Sequence, residues 1–174
     1  MVYDSPLVEN CFIRQENVMP SSRFLLLNVG HSIDHLFMLM FPAVAALAAA
    51  DLSASYGEVL KLATGSFIAF GVFSLPMGWL ADRLSREFMM TVFFLGIGVA
   101  MILTGFSNEE WQIFVSLILV GMFAAIYHPV GLAMVSQGGG DVGRRLGVNG
   151  VWGNMGVAAS ALSVGVFADF AGWR

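Results

Sequence analysis

Apolar runs of about twenty residues, cut only by short polar turns, limit what this chain can fold into more than any other feature. They extend over about 24–48, 59–80, 88–106, 111–135 and 146–168, and roughly 20 residues of helix cross a hydrocarbon core. The sequence therefore predicts an all-α membrane protein: a bundle of about five transmembrane helices over residues 24–174, behind a polar cytoplasmic tail of residues 1–23. That tail mixes Asp4, Glu9, Arg14, Glu16 and Arg23 and has no basic start, apolar centre and small-residue cleavage site, so it does not read as a signal peptide. Only 11% of residues are charged, against about 25% in soluble domains, which argues against a water-soluble fold. A net charge of -4 with no Lys/Arg-rich run argues against a nucleic-acid surface.

Lys and Arg placement sets orientation, because short loops rich in them stay cytoplasmic. Arg14, Arg23, Arg83, Arg86, Arg144 and Arg145 fall on one side, and Lys61 and Arg174 toward the other. The amino terminus is therefore expected in the cytoplasm of a multi-pass inner (plasma) membrane protein. Lys61 sits a turn inside the outer edge, where its ammonium snorkels to the interface, the alternative being a pathway role. Pro76 in the second span predicts a kink, tolerable where neighbouring helices and water satisfy the freed carbonyl.

The stretch Gly78-Trp79-Leu80-Ala81-Asp82-Arg83-Leu84-Ser85-Arg86-Glu87 reads as a tight cytoplasmic turn between two spans. It resembles the G-x-L-A-D-R-x-G-R signature joining the second and third helices of the major facilitator superfamily, with Ser85 in place of the usual glycine and Glu87 in place of a basic residue. Gly78, Asp82, Arg83 and Arg86 are the matching signature positions. The resemblance implies a secondary transporter built of twelve helices in two halves, in which the acid at Asp82 latches this half to the other. Gly172-Trp173-Arg174 resembles the outer loop leading into the sixth helix, so the expectation is a truncated or fragmentary amino-terminal half. A missing carboxyl-terminal half or a second chain is then needed to complete a site, since such transporters bind between their halves. Membrane lipid and a small-molecule substrate are the other expected partners. A transport-inactive remnant that packs against other helices is the competing reading.

Asn28, His31, Ser32, Asp34 and His35 interrupt the first span. At about 100° per residue the first three and His35 share a face, with Asp34 at its margin. An Asp at a helix centre costs about 2.5 to 3.5 kcal/mol to insert, and each large apolar residue returns roughly 0.3 to 0.6, so the span still inserts. Two readings remain open. The side chains are interhelical glue of modest strength, or they line a water-filled path where a His beside an Asp titrates near neutral pH. The spacing His31-x-x-x-His35 also suits two ligands of a Zn²⁺ or Fe site, but two are too few for a metal centre, and none is expected.

Tyr127-His128-Pro129 lies in the fourth span and Gly153-Asn154-Met155-Gly156 in the fifth. With the histidine-bearing first span they resemble the fosmidomycin-resistance branch of the superfamily, which implies proton-coupled export of a small solute. His128 then either faces the path at the Pro129 kink or caps the carbonyls which that kink frees. His128 is expected nearer the cytoplasmic end than His31 and His35, an offset suited to a relay. Gly153, Asn154, Gly156 and Ser160 are expected to pack helices closely, whereas the proline that drug antiporters often carry here is missing. Lone Cys11 excludes an internal disulfide. The chain shows no P-loop, G-x-S-x-G, EF-hand, H-E-x-x-H or Cys-x-x-Cys, so neither an enzyme nor a cofactor is expected.

Overall fold

The computed structural model describes residues 19–173; most of the tail, including Cys11 and Arg14, and Arg174 lie outside the described residues. Within them the chain is helical, with no strand: α1 (Ser21–Asp51), α2 (Tyr56–Leu62), α3 (Thr64–Ala81), α4 (Arg86–Phe106), α5 (Glu110–Ala124), α6 (Tyr127–Ser136) and α7 (Val142–Ala171). They make five rods long and apolar enough to cross a membrane, since α2 continues into α3 and α5 into α6.

Local chemistry sets the helix ends. Ser55 and Glu58 form a reciprocal capping box at the start of α2, and before α5 the Gln112 side-chain oxygen accepts from the Asn108 and Glu109 N–H groups at 2.9 and 3.2 Å, in each case satisfying backbone donors that have no helical partner. The second rod is interrupted at Ala63, where Thr64 Oγ1 donates to the Lys61 carbonyl at 2.6 Å, and α3 then runs unbroken through Pro76. The fourth rod breaks at Ala125–Ile126. Pro129 has no N–H for the carbonyl four residues back, and the Ile126 N–H reaches Phe123 by a tighter bond of 3.1 Å. Pro129 therefore sits in the first turn of α6, where proline costs least.

The signature turn carries Ser85 and Glu87 where the family signature has glycine and a basic residue. Ser85 is the residue before α4 and its hydroxyl accepts from the Phe88 N–H at 3.1 Å, so it caps the helix. Glu87, in the first turn of α4 where a negative charge is favoured, is ion-paired with Arg23 at the start of α1. Arg86 donates to Gln137 beyond α6. Arg145 donates to the Gly138 carbonyl at 2.6 Å, and the Met19 N–H donates to that same carbonyl at 2.8 Å. The arginine-bearing end is thus tied together across α1, α4, α6 and α7.

Two buried clusters fill the bundle. One, around Met89, Phe93, Ile97, Val120 and Tyr127, lies toward the arginine-bearing end. The other, around Phe41, Val44, Val59, Ile113 and Leu117, lies toward the opposite end. Large apolar side chains also face outward, among them Ile68, Leu75, Leu95, Phe106 and Leu162, as expected where lipid rather than water is the solvent. The most extensive helix contacts are α1 on α7 and α3 on α5. A Cβ on Gly156 would come within 2.1 Å of the Ser32 carbonyl oxygen, and one on Gly121 within 2.0 Å of that of Ser66. Both seams therefore close backbone on backbone at a glycine, the close approach that small residues permit in membranes.

Candidate functional site

All three histidines of the chain meet at one place between α1 and α6, and a chain with so few gives the convergence weight. The His31 ring centroid lies 4.9 Å from that of His35 and 5.3 Å from that of His128, and His35 and His128 lie 5.6 Å apart. His35 Nε2 is 3.1 Å from His31 Nε2. His128 Nε2 is 3.3 Å from Asp34 Oδ2. Asp34 is 1% exposed, and its Oδ1 has no hydrogen-bond partner among the described residues. His35 and His128 are partly exposed, whereas His31 and Asp34 are buried.

The vertical offset expected between His128 and the α1 histidines is absent. At about 1.5 Å per residue, His31 lies roughly 15 Å along α1 from its start and His128 roughly 12 Å back from the end of α6, so helices of opposite direction bring them level. Spacing within one helix carries no information on the depth of a residue in another.

A buried polar network holds the cluster from behind. The His31 ring stacks on Tyr127 at 4.8 Å and 19°. His31 Nδ1 lies 2.8 Å from the Asn149 carbonyl oxygen; a nitrogen facing a carbonyl must donate, which leaves the Nε2 lone pair turned toward His35. Asn149, fully buried, donates from Nδ2 to Asn28 Oδ1 and to the Tyr127 hydroxyl, both at 2.9 Å. Tyr127 donates in turn to the Leu27 carbonyl at 2.7 Å. Ser32 Oγ donates to the Trp152 carbonyl at 2.5 Å. Asn28 thus supports the cluster through Asn149 rather than touching it.

Sequence reasoning names Tyr127 in the Tyr127-His128-Pro129 motif without giving it a role, and it passes over Asn149, although an Asn inside the apolar fifth run is a visible signal. In that run Gly153 and Gly156 lie in the seam: a Cβ on Gly153 would reach within 2.8 Å of the His31 ring. Ser160 is buried and donates within its own helix to the Val157 carbonyl at 2.7 Å. Asn154 is exposed and lies outside this packing, because the helix turns its neighbours Gly153 and Gly156 inward.

The signature residues sit apart from the cluster. Asp82 and Arg83 are exposed, the Arg83 guanidinium lies 3.9 Å over the Trp79 ring, and Gly78 approaches Pro129 closely enough that a Cβ would meet it at 3.3 Å. The first turn of α6, which carries His128, is therefore packed against the helix that ends in the signature turn.

The pattern of the Major Facilitator Superfamily matches residues 29–174, a span that takes in both the cluster and the turn. The chain is also similar to the puromycin resistance protein pur8 of Streptomyces alboniger, 32% identical over 127 residues. That match covers 71% of this chain but 25% of the relative's length.

Proposed function

The chain belongs to the major facilitator superfamily, and on that premise we propose that it supplies the amino-terminal part of a secondary active transporter that moves or expels a small organic solute, driven by protons. The observation that carries this reading is the meeting of His31, Asp34, His35 and His128 at one level inside the membrane. Ionisable groups at such depth are expensive and face a bundle interior or a water-filled cavity, and here two of the imidazoles, His35 and His128, are partly exposed. In the proposed cycle, a proton taken up by the cluster from one side neutralises or redistributes charge around Asp34, and its release to the other side returns the site.

The solute site itself lies between this bundle and a second one, as in related two-halved transporters, so a carboxyl-terminal half or a second chain completes it. Asp82, exposed in the signature turn, is the latch to that partner. The arginine-bearing end faces the cytoplasm and the membrane is the inner (plasma) one. The aromatic-His-Pro and the histidine-bearing first helix support a place near the fosmidomycin-resistance branch, and the puromycin resistance protein supports efflux. The glycine seams favour a second reading, in which the bundle only packs against other helices.

Accumulation of labelled puromycin and fosmidomycin in cells making the full-length protein tests this. Lower accumulation than in control cells, restored by a protonophore, is the expected outcome. Equal accumulation for both compounds, with the protein present in the membrane, contradicts an efflux function for either.

A further inference from the structure

His31, His35 and His128 each offer a ring nitrogen, and these atoms all lie within 4.8 Å of one another. We propose that they form a binding site for a first-row transition-metal cation of the Zn²⁺ kind, with Asp34 as its counter-charge. The inference rests on the reading of this cluster as reached by water along the transport path, because an ion needs a way in; it does not depend on what drives transport.

Geometry brings the donors near their places. Zn–N bonds of about 2.0 to 2.1 Å in a tetrahedral site put ligand nitrogens roughly 3.3 Å apart. The Nε2 atoms of His31 and His35, at 3.1 Å, already meet that spacing. The remaining contraction falls mainly to His128, whose side chain is 33% exposed and has room to turn.

The surroundings are those a metal site needs. A metal-bound imidazole characteristically donates its other N–H to a carbonyl or carboxylate, which fixes the ring and its tautomer. His31 does so to the Asn149 carbonyl, and Asn149 is itself fixed by Asn28 and Tyr127. Asp34 Oδ2 lies 3.3 Å from His128 Nε2, and Oδ1, in a buried setting, has no hydrogen-bond partner among the described residues. A buried carboxylate is stabilised by a paired cation or a coordinated metal, and a divalent ion among three neutral imidazoles supplies that charge. Imidazole donors suit Zn, Cu, Fe or Ni, whereas Mg and Ca prefer all-oxygen sites, which sets the class of ion.

Co²⁺ serves as the probe, added to the purified full chain in detergent and followed by its visible absorption and by metal analysis. The expected result is one Co²⁺ per chain, displaced by Zn²⁺ and not by Mg²⁺ or Ca²⁺. His31→Gln, His35→Gln and His128→Gln should each weaken it more than about tenfold, and Asp34→Asn about 10- to 100-fold. Circular dichroism without metal checks folding, and His35→Gln keeps the test decisive if His31→Gln fails to fold, because His35 is not part of the Asn149 network. Absence of uptake by the unaltered chain, or uptake unchanged in His35→Gln and His128→Gln, overturns the site. In parallel, His128→Cys in a Cys11→Ser background is exposed to a water-soluble thiol reagent. Labelling there without Co²⁺ uptake by the unaltered chain overturns the metal site and leaves the water-path reading standing; neither labelling nor uptake removes both.

Discussion

The α1–α7 and α3–α5 seams are closed by the same device and filled with different chemistry. In each, a glycine rests on a serine carbonyl, Gly156 on Ser32 and Gly121 on Ser66. In the α3–α5 seam the serine hydroxyl bonds only within its own chain segment, Ser66 Oγ donating to the Ala63 carbonyl at 2.8 Å. In the α1–α7 seam the polar groups cross between helices, from His31, Ser32 and Asn28 to Asn149 and Trp152. Among the described residues no side-chain hydrogen bond joins α3 to α5, so a seam of this kind closes on a glycine without buried polar groups crossing it; under the proposed function those of the α1–α7 seam serve coupling.

The largest effect should be common to both seams. Gly156→Leu and Gly121→Leu each drive a branched side chain into backbone with no room for even a Cβ, and folded protein recovered from membranes should fall at least about tenfold for either, since overpacking a tight contact costs typically 1 to 3 kcal/mol and here cannot be relieved by a side-chain rotation. Fluorescence-detected size-exclusion of a tagged protein measures this. Tolerance of one change and not the other would end the equivalence of the two seams.

Next come changes that should separate them. Asn149→Leu strips Asn28 and the Tyr127 hydroxyl of a buried partner and should cost about 1 to 3 kcal/mol, read as a drop in thermal midpoint in detergent. Ser66→Ala loses one bond within its segment and should cost about 0.5 to 1 kcal/mol. Equal losses would mean the network behind His31 is no more than ordinary packing. Gly153→Ala places a methyl against the His31 ring; it should displace the imidazole and reduce driven transport several-fold at nearly unchanged folded yield.

The smallest effect on the fold belongs to Asp82→Asn. Asp82 is exposed, and surface changes of this kind stay within about 0.5 kcal/mol. If Asp82 is the proposed latch to a second bundle, transport by the full-length protein should nevertheless fall more than its abundance, while stability of the present chain should not change. Unaltered transport at equal abundance would remove the latch.

Much of this was legible in the sequence. Run length alone gives five helical rods, and helical angle alone puts Asn28, His31 and His35 on one face of α1. What resisted reading were relations between helices. The level of His128 depends on where α6 begins, which is set by the break that Pro129 imposes. Asn149 matters because α7 turns it toward Asn28 and Tyr127, while Asn154, part of the more conspicuous Gly-Asn-Met-Gly, is turned out. At Ser85 and Glu87 the sequence shows only departures from the family signature, and the cap to Phe88 and the pair with Arg23 reveal that each contributes a bond of its own.

The central claim is that the histidine–aspartate cluster works rather than merely binds helices together. Proton-gradient-driven flux by the full-length protein in proteoliposomes, compared for Asp34→Asn, His31→Gln and the unaltered protein at equal folded amount, tests it most directly. The cluster as a working site predicts a loss of more than about tenfold in driven flux for both variants, with the amount of Asp34→Asn inserted unchanged or raised, because a charge that is costly at this depth has been removed. Full gradient-dependent flux in both variants, accompanied by a fall in folding yield, would contradict it and make the cluster structural.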